Sequence, residues 1–260
     1  MSTAAVLAEV SNGVACWTLN RPAERNPFSA EIKQALLKLA QEFVADERQK
    51  VVIITGAGEF FSAGGDLRVV GSDPSPLNTR RIISVTHAFL RLLHGCEKPV
   101  ITAVNGGAVG AGVGLAMSGD IILASERAWF MSGFPRIGAV PDAGLMYYLT
   151  RAVGLPKARD FLLTNRRIDA AGADASGMVS RVVPHDELMA QARALARELA
   201  EGPTAATALT KAMLAQTLHD SFDSHLLRED LAQAVAFSTN DLAEGVAALK
   251  EKRRPRFQGT

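Results

Sequence analysis

One run of β-branched residues constrains the fold of this chain more than any other feature. The run is Val51–Thr55, and the turn sequence Gly56-Ala57-Gly58 follows it at once. A continuous run without polar alternation is typical of a strand buried on both faces, as in parallel sheets covered by helices. Further strands are predicted at Val14–Leu19 and Pro99–Val104. Because these strands alternate with helical patterns, the expected fold class is α/β with largely parallel pairing.

Helical periodicity accounts for the segments between the strands. Ser29 is placed to cap a helix whose apolar residues follow the i, i+3, i+4, i+7 spacing from Ile32 to Phe43. The segment Gly71–Asn78 is rich in Ser, Pro and Gly, which predicts an exposed loop, with a helix to follow over about Thr79–Leu93. Two later strands are predicted at Ile121–Ser125 and Ala128–Phe130.

The chain changes character after Pro184, where helical patterns replace the strands. The predicted helices cover residues 186–201, 204–218, 222–237 and 242–250. A terminal run of helices whose apolar faces need a cover is typical of a packing module that supports oligomerisation.

Composition and charge exclude several classes of protein. Of the 260 residues, 48% are hydrophobic and 21% are charged, which is ordinary for a globular chain with a sizeable core. The net charge of +1 gives no reason to expect nucleic acid or an acidic membrane as a partner. Cys16 and Cys96 lie far apart without metal-ligand spacing. This favours reduced thiols in a cytoplasmic protein, with a single disulfide as the alternative.

The apolar stretch Val100–Ala124 raises the alternative of a membrane span. Asn105 and Asp120 interrupt the stretch and several glycines crowd it. A span needs about 20 predominantly apolar residues, so we interpret the segment as a strand, a glycine turn and a short packed helix. The first ten residues lack the basic region of a signal peptide. The sequence therefore predicts a soluble protein.

Two glycine-rich corners follow predicted strands. The first corner runs from Phe60 to Leu67, and the second runs from Asn105 to Gly112. Glycine at such corners allows positive φ and the close approach of a ligand, and a helix start just beyond presents unpaired N–H groups to negative charge. The alternative is that the glycines serve tight packing alone. A dinucleotide-binding site is excluded, because neither corner contains Gly-x-Gly-x-x-Gly opening a helix.

These motifs, taken in order, resemble the enoyl-CoA hydratase/isomerase (crotonase) superfamily along nearly the whole chain. The matching segments are Asn20-Arg21-Pro22 with Asn26, Phe61–Leu67, Lys98–Gly106, Gly110-Ala111-Gly112, Asp120-Ile121-Ile122, Ile137–Gly144, Arg151–Gly154, and Glu251-Lys252-Arg253 with Phe257. The resemblance implies a spiral core of ββα units over residues 1–200. It also implies a helical region over residues 201–260 that builds homotrimers, commonly paired into hexamers.

The resemblance further implies an oxyanion hole. Its donors map onto the backbone N–H groups of Gly65 and Ala111. Removing a proton next to a thioester carbonyl places negative charge on the carbonyl oxygen, and each preorganised donor stabilises such charge by ~3 kcal/mol. Backbone donors tolerate varied side chains, so glycine at position 65, where many relatives have alanine, is acceptable.

Residues that bind the CoA moiety of an acyl-CoA substrate are implied in the same way. Those mapped near the adenine are Ala63, Asp66 and Leu67, and those mapped near the phosphates are Arg25 and, from a neighbouring subunit, Lys252 or Arg253. The alternative for the basic C-terminal run is a solvated tail. No cofactor is expected beyond this CoA moiety, and no cluster of residues has metal-ligand spacing.

Two positions depart from the pattern of enoyl-CoA hydratases, which activate water with a pair of glutamates. The positions that correspond to those glutamates hold Gly114 and Phe134. Neither residue can transfer a proton, so hydration by a glutamate pair is not expected.

Asp142 supplies a carboxylate at the start of another predicted helix. An acidic residue at this point resembles the base of Δ3,Δ2-enoyl-CoA isomerases and of isomerases acting on phenylacetyl-CoA derivatives. Burial beside an acyl pocket can raise the pKa of a carboxyl group and suit it to proton shuttling. The alternative for Asp142 is a helix N-cap. His87 and His94 are interpreted as surface or packed residues.

The favoured function is therefore an acyl-CoA isomerase with Asp142 as its base. A hydratase or hydrolase of the same fold is the first alternative. A non-catalytic CoA-binding or RNA-associated scaffold is the second, and the near-neutral charge disfavours it.

Overall fold

The computed structural model describes residues 4–69 and 75–260. Its strands, in chain order, are β1 (Val6–Ser11), β2 (Val14–Leu19), β3 (Pro27–Phe28), β4 (Val51–Gly56), β5 (Phe60–Ser62), β6 (Gly64–Gly65), β7 (Val100–Val104), β8 (Gly107–Val109), β9 (Ile121–Ser125), β10 (Trp129–Met131), β11 (Ile168–Asp169) and β12 (Arg181–Val183). Its helices are α1 (Ala30–Ala45), α2 (Pro76–Gly95), α3 (Ala111–Ala116), α4 (Leu145–Thr164), α5 (Ala170–Ser176), α6 (Leu188–Ala200), α7 (Thr204–Leu214), α8 (Phe222–Phe237) and α9 (Asn240–Glu251). Short 3₁₀ helices lie at Pro22–Glu24, Phe134–Ile137 and His185–Glu187.

The strands form three sheets that confirm the predicted α/β class. The large sheet has the order β1-β2-β4-β7-β9-β12, in which β1 is antiparallel to β2 and the remaining neighbours are parallel. A smaller sheet has the order β11-β10-β8-β5, and β3 pairs with β6. Helices connect the parallel strands, as such pairing requires.

The large sheet is covered on both faces, which explains the β-branched run that dominates the sequence. On one face Ile54 and Trp17 belong to a core shared with α1 and α2. On the other face Ile53 and Ile101 pack with residues of α6 such as Ala192. Residues 51–54 are all fully buried. The prediction of a strand buried on both faces is therefore confirmed.

Local signals placed the predicted elements to within a few residues, with errors at helix ends, but they did not find β1 or the short strands β3, β5, β6, β8, β11 and β12. Ser29 caps α1 by accepting a hydrogen bond from the Ile32 N–H. The predicted loop over Gly71–Asn78 is wrong at its end, because α2 already begins at Pro76, where proline suits the first helical position. Residues 71–74 of that prediction lie outside the described residues. Helix α7 ends at Leu214 rather than at residue 218, because the next residues form separate turns.

The C-terminal helices expose apolar side chains but remain tied to the core, in part through a half-buried ion pair. Lys211 of α7 places its Nζ 2.7 Å from the carboxylate of Asp120 and donates to the Lys98 carbonyl oxygen at 2.8 Å. The same Asp120 carboxylate accepts from the Val100 N–H at the start of β7. The large apolar side chains that stay mostly exposed include Leu218, Phe222, Leu227, Leu231, Phe237 and Leu249.

Candidate active site

The two glycine corners converge at one edge of the smaller sheet. Strands β5 and β8 are parallel neighbours, with Ser62 opposite Ala108. Each corner leaves the carboxyl end of its strand, and the carboxyl ends of parallel strands meet at the same edge of a sheet, where ligands commonly bind. Corners that are far apart in the sequence therefore become neighbours in the structure.

The convergence is a direct contact of backbone with backbone. A Cβ added to Gly64, whose φ is +81°, would lie 3.0 Å from the Ala111 nitrogen. A Cβ added to Gly112 would lie 2.5 Å from the Ser62 carbonyl oxygen. The predicted packing role of the corner glycines is thus confirmed. It is compatible with a binding role, because it brings the residues next to Gly65 and Ala111 together.

Hydrogen bonds from side chains hold the first corner in place. The Ser62 hydroxyl donates to the Asn26 carbonyl oxygen at 2.7 Å and accepts from the Gly64 N–H at 3.1 Å. The Asn26 side chain is fully buried and donates to the carbonyl oxygens of Ala57 and Phe60. Gly65, the last residue of β6, is exposed at this rigid edge.

Residues 66–69, the described residues that follow Gly65, form no helix, contrary to the expectation for both corners. They make a turn closed by the bond from the Val69 N–H to the Asp66 carbonyl oxygen, and the next helix in the described part of the chain, α2, starts at Pro76. The Asp66 side chain favours this turn because it accepts a hydrogen bond from the Arg68 N–H.

The second corner does open a helix, as predicted. Gly110 precedes α3 with a φ of 56° and a ψ of −123°, and Ala111 is the first helical residue. An N–H at this position has no partner within its own helix. Every residue of α3 is buried, and Ala111 is only 5% exposed. The Ala111 amide therefore lies in a sheltered place beside Gly64.

Asp142 does not cap a helix, so the capping alternative for this residue is wrong. The N-cap of α4 is Gly144, and no side chain caps that helix. Ala143 and Gly144 both have positive φ, which turns the chain so that Asp142 contributes only its carbonyl oxygen, as the acceptor of the Leu145 N–H. The Asp142 Oδ1 atom is buried and has no hydrogen-bond partner among the described residues.

Burial raises the pKa of the Asp142 carboxyl group above its ordinary value. Electrostatic interactions with His87 of α2 and Lys33 of α1 lower the pKa of Asp142, but by less than burial raises it. Helices α2 and α1 therefore lie close to Asp142. Burial in turn lowers the pKa of the Lys33 ammonium, against the charges of Asp142 and Asp66. The site therefore contains a carboxylate held in a poorly solvated position with cationic groups nearby.

The positions that correspond to the hydratase glutamates contribute only packing. Phe134 is 8% exposed, and its ring lies 3.7 Å from the point where a Cβ on Gly110 would be. Gly114 lies in α3 against Ala143, the residue after Asp142. Among the described residues of this site, Asp142 thus supplies the carboxylate that neither Phe134 nor Gly114 can supply.

Several residues predicted to bind CoA lie together beside the first corner. The Ala63 N–H donates to the Arg25 carbonyl oxygen at 2.8 Å, and the Arg25 guanidinium lies over the Phe60 ring, 5.1 Å from its centroid. Leu67 is 66% exposed. An exposed leucine beside an exposed arginine suits a ligand that has both an apolar and an anionic part.

The Asp66 carboxylate is paired with Arg68, a residue that the sequence analysis did not single out. The carboxylate accepts both guanidinium bonds of Arg68, at 2.9 and 2.8 Å, and these bonds hold the pKa of Asp66 below its ordinary value. Arg68 also pairs with Glu24 at 2.6 Å. The available signal was the spacing Asp-x-Arg directly after the glycine pair, which places a second cation at the surface near Arg25.

The predicted residues Lys252 and Arg253 lie at the C-terminal end of α9. The Arg253 guanidinium pairs with Glu244 at 2.6 and 2.9 Å and lowers the pKa of that carboxyl group to about 2. It also bonds Glu251. No hydrogen bond or ion pair joins Lys252 or Arg253 to the first corner within the part of the chain that the structure describes.

The remaining sequence interpretations concern thiols, histidines, metals and membranes. Cys16 and Cys96 are both free and buried. His94 is a packed residue, in edge contact with Tyr147 and Tyr148. Over residues 4–69 and 75–260, no group of His, Cys, Asp and Glu could hold a metal ion. Within the same ranges, no helix has the length and apolarity needed to cross a bilayer.

The sheets described above, with the two corners in backbone contact at β5 and β8, form a crotonase-type fold. A solved structure named enoyl-CoA hydratase/isomerase from Cupriavidus metallidurans CH34 has this fold, with a TM-score of 0.91 and 34% identity over 100% of this chain and 98% of that chain. The sequence model of the enoyl-CoA hydratase/isomerase family matches residues 9–260. The chain therefore belongs to the enoyl-CoA hydratase/isomerase (crotonase) family of enzymes acting on CoA thioesters.

Similar curated proteins carry both kinds of name. The 1,2-epoxyphenylacetyl-CoA isomerase of Escherichia coli K12 is 35% identical over 257 residues, which is 98% of either chain. A Mycobacterium bovis protein named "Probable enoyl-CoA hydratase echA8" is 34% identical over 264 residues, which is 99% of either chain. Family membership thus leaves the choice between isomerisation and hydration to the residues of the site.

Proposed function

We propose that this enzyme isomerises the double bond of an unsaturated acyl-CoA, with Asp142 as the base. The observation that carries the proposal is the buried, unpartnered Oδ1 of Asp142 in a site where Gly114 and Phe134 replace the hydratase glutamates. A single enclosed carboxylate suits a reaction that moves one proton within the substrate. It does not suit the activation of water by two groups.

In the proposed reaction, Asp142 takes a proton from C2 of a 3-enoyl-CoA or a related β,γ-unsaturated thioester. The electrons of the broken C–H bond form a dienolate whose charge lies on the thioester oxygen. Return of the same proton to C4 moves the double bond from C3=C4 to C2=C3. A raised pKa favours the first step of this shuttle, because it makes the Asp142 carboxylate a stronger base toward the C2 proton. The acid formed then lies close to the dienolate and can return the same proton to C4.

The N–H groups of Gly65 and Ala111 are the proposed donors to the enolate oxygen. Support comes from the contact between the two corners and from the position of Ala111 at the start of α3. Two fixed amides need no reorganisation when charge develops, and each donor in analogous sites stabilises the transition state by ~3 kcal/mol.

The CoA moiety is proposed to lie along the first corner, against Ala63 and Leu67, with its phosphates near Arg25. Arg68 joins this set as a further cation, because its side chain stays 64% exposed although Asp66 and Glu24 both pair with it. From a neighbouring subunit, Lys252 is a better candidate than Arg253, because two glutamates hold the Arg253 guanidinium and its side chain is only 38% exposed.

A homotrimer or a dimer of trimers is the proposed assembly of this cytoplasmic enzyme. Helices α7 to α9 expose many large apolar side chains in the single chain, among them Phe222 at 76% and Leu249 at 81%. Contiguous exposed apolar surface of this kind marks a protein–protein interface. Val140, in the loop that carries Asp142, is 76% exposed as well, which suggests that a neighbour also completes the site.

The test compares two substrates and two carboxamide variants. We expect the parent enzyme to convert a 3-enoyl-CoA to the conjugated 2-enoyl-CoA and to hydrate crotonyl-CoA very slowly. Asp142→Asn should lose about 10²- to 10⁴-fold of the isomerase rate, the usual worth of a general base. Asp174→Asn is the matched control, because Asp174 is an exposed aspartate of α5 with no part in the proposed site.

Rapid hydration of crotonyl-CoA by the parent would contradict the proposal and favour the hydratase alternative. So would an Asp142→Asn enzyme as fast as the parent on each unsaturated thioester tested.

A further inference from the structure

Gly114 is the point at which α3 touches the loop that carries Asp142. A Cβ on Gly114 would lie 2.8 Å from the Ala143 Cβ and closer still to the Ala143 carbonyl oxygen. Contacts below 3.0 Å are essentially never made by real Cβ atoms. The backbone of Gly114 does not itself require glycine, because its φ is not positive. Since glycine in a helix costs about 1 kcal/mol relative to alanine, the close approach is what explains it.

We propose that Gly114 is a positioning residue for the base. By lacking a side chain, it lets the loop over residues 138–144 lie directly on α3, and this contact sets the Asp142 carboxylate beside the two corners. The inference rests on the proposed function, in which Asp142 is the base.

The arrangement of α3 supports a role that is specific to the loop. Residues two positions apart in a helix point about 200° apart, so Gly112 and Gly114 serve opposite sides of α3. Gly112 contacts Ser62 of the first corner, whereas Gly114 contacts Ala143. Helix α3 therefore lies between the backbone of the first corner and the loop that carries Asp142. The contacts at Gly112 and Gly114, two residues without side chains, set the distance from α3 to each of them.

One consequence is that a glutamate at position 114 and this loop cannot occupy the same space. The position that would hold a hydratase glutamate must be empty for the Asp142 loop to reach its place. The absence of a glutamate at position 114 and the presence of Asp142 in its loop are thus coupled by packing rather than by chemistry.

The experiment compares three glycine-to-alanine variants of the full-length enzyme, using a 3-enoyl-CoA as substrate and measuring kcat, KM and the dependence of kcat on pH. Gly114→Ala tests the proposal. Gly112→Ala introduces a similar clash on the other side of the same helix. Gly95→Ala is the neutral control, because a Cβ there meets nothing within 4 Å.

We expect Gly114→Ala to lower kcat about 10- to 100-fold, as a small displacement of a catalytic group does, with KM changed less. Because the displaced Asp142 would be better solvated, the acid limb of the kcat profile should also move to lower pH. Gly112→Ala should lower kcat without moving that limb, and Gly95→Ala should match the parent in both measurements.

A folded Gly114→Ala enzyme with an unmoved acid limb overturns the inference, whether or not kcat falls. If Gly114→Ala does not fold, the double variant Gly114→Ala/Ala143→Gly takes its place, since it removes the methyl group 2.8 Å away and keeps the closer contact with the Ala143 carbonyl oxygen. The remaining contact should still displace the loop, so an unmoved acid limb in the folded double variant overturns the inference. The proposed function fails separately: a fast Asp142→Asn enzyme overturns both ideas. A slow Asp142→Asn enzyme with a parent-like Gly114→Ala enzyme overturns the positioning role alone.

Discussion

The two glycine corners meet at one sheet edge, yet different forces hold them in place. The first corner depends on side-chain hydrogen bonds, because Asn26 donates to the Phe60 carbonyl oxygen, and the Ser62 hydroxyl accepts from the Gly64 N–H and donates to the Asn26 carbonyl oxygen. The Asn105 side chain holds the start of the second corner in a similar way, but α3 beyond it has no side-chain cap and is held by close contacts at Gly112 and Gly114. Added atoms should therefore damage either corner, since Gly64 makes close contacts too, whereas the loss of polar atoms should damage the first corner and spare α3.

The largest loss of turnover is expected when the backbone N–H donor of the second corner is removed. Ala111→Pro removes the N–H proposed to bind the enolate oxygen, so turnover should fall by at least about 10²-fold. Ala111→Gly keeps the N–H and adds no atoms, and it should stay close to the parent rate. Steady-state kinetics give the comparison, and calorimetry with CoA checks that the corner is still formed. Retained turnover in a folded Ala111→Pro enzyme would place the donor elsewhere.

A smaller effect tests the hydrogen bonds of the first corner. Ser62→Ala leaves the Asn26 carbonyl oxygen and the Gly64 N–H without their partner in a buried site, which should cost ~1–2 kcal/mol of unfolding free energy. Ser132→Ala is a matched control, because the Ser132 hydroxyl is also buried but has no partner among the described residues. Its stability should be unchanged or slightly higher.

Urea unfolding monitored by circular dichroism measures both serine variants. Equal stability losses in the two would mean that the Ser62 bonds do not hold the first corner.

The smallest effect concerns the cost in folding free energy of burying the Asp142 carboxyl group. The pKa of Asp142 is raised in the folded enzyme above the ordinary value of 3.8 that applies when the chain is unfolded. As pH rises through the interval between these values, the unfolded chain loses its proton first, so the folded state loses stability. Above that interval the loss of folding stability is constant, and below about pH 4 it vanishes.

Asp142→Asn should therefore raise the melting temperature at neutral pH by a few degrees, about 2–4 °C for each kcal/mol in a chain of this size. The gain should disappear near pH 4. Scanning calorimetry at both pH values decides, and a variant less stable than the parent at pH 7 would show that the carboxylate is well solvated or paired.

Sequence reasoning succeeded where a feature depends on neighbours along the chain. The buried run at Val51–Thr55 and the cap at Ser29 are of this kind, and both are confirmed. It favoured Asp142 as a base but could not exclude a helix cap, because the capping geometry depends on the positive φ of Ala143 and Gly144.

Contacts between distant segments had no signal in the sequence. The approach of Gly114 to Ala143 depends on where the folded chain places the loop of Asp142. The pairing of Asp66 with Arg68 is local, and its signal, the Asp-x-Arg spacing, was present in the sequence but was not used. Gly114 could be recognised as a missing glutamate, but what fills its place could not. The roles of Gly65, Ala111 and the CoA-binding residues stay predictions that the variants above would test.

The ion pair between Lys211 and Asp120 has a consequence for how the chain is made. Protein synthesis delivers the N-terminal part first, at about 5–20 residues per second, and domains begin to form as they emerge. Strands β7 and β9 can therefore assemble while Lys211 is still untranslated, which leaves the Asp120 carboxylate and the Lys98 carbonyl without their later partner. We expect the ends of β7 and β9 at Lys98 and Asp120 to remain loosely held until α7 arrives, so that a ribosome stalled before Lys211 would hold a chain unusually sensitive to protease.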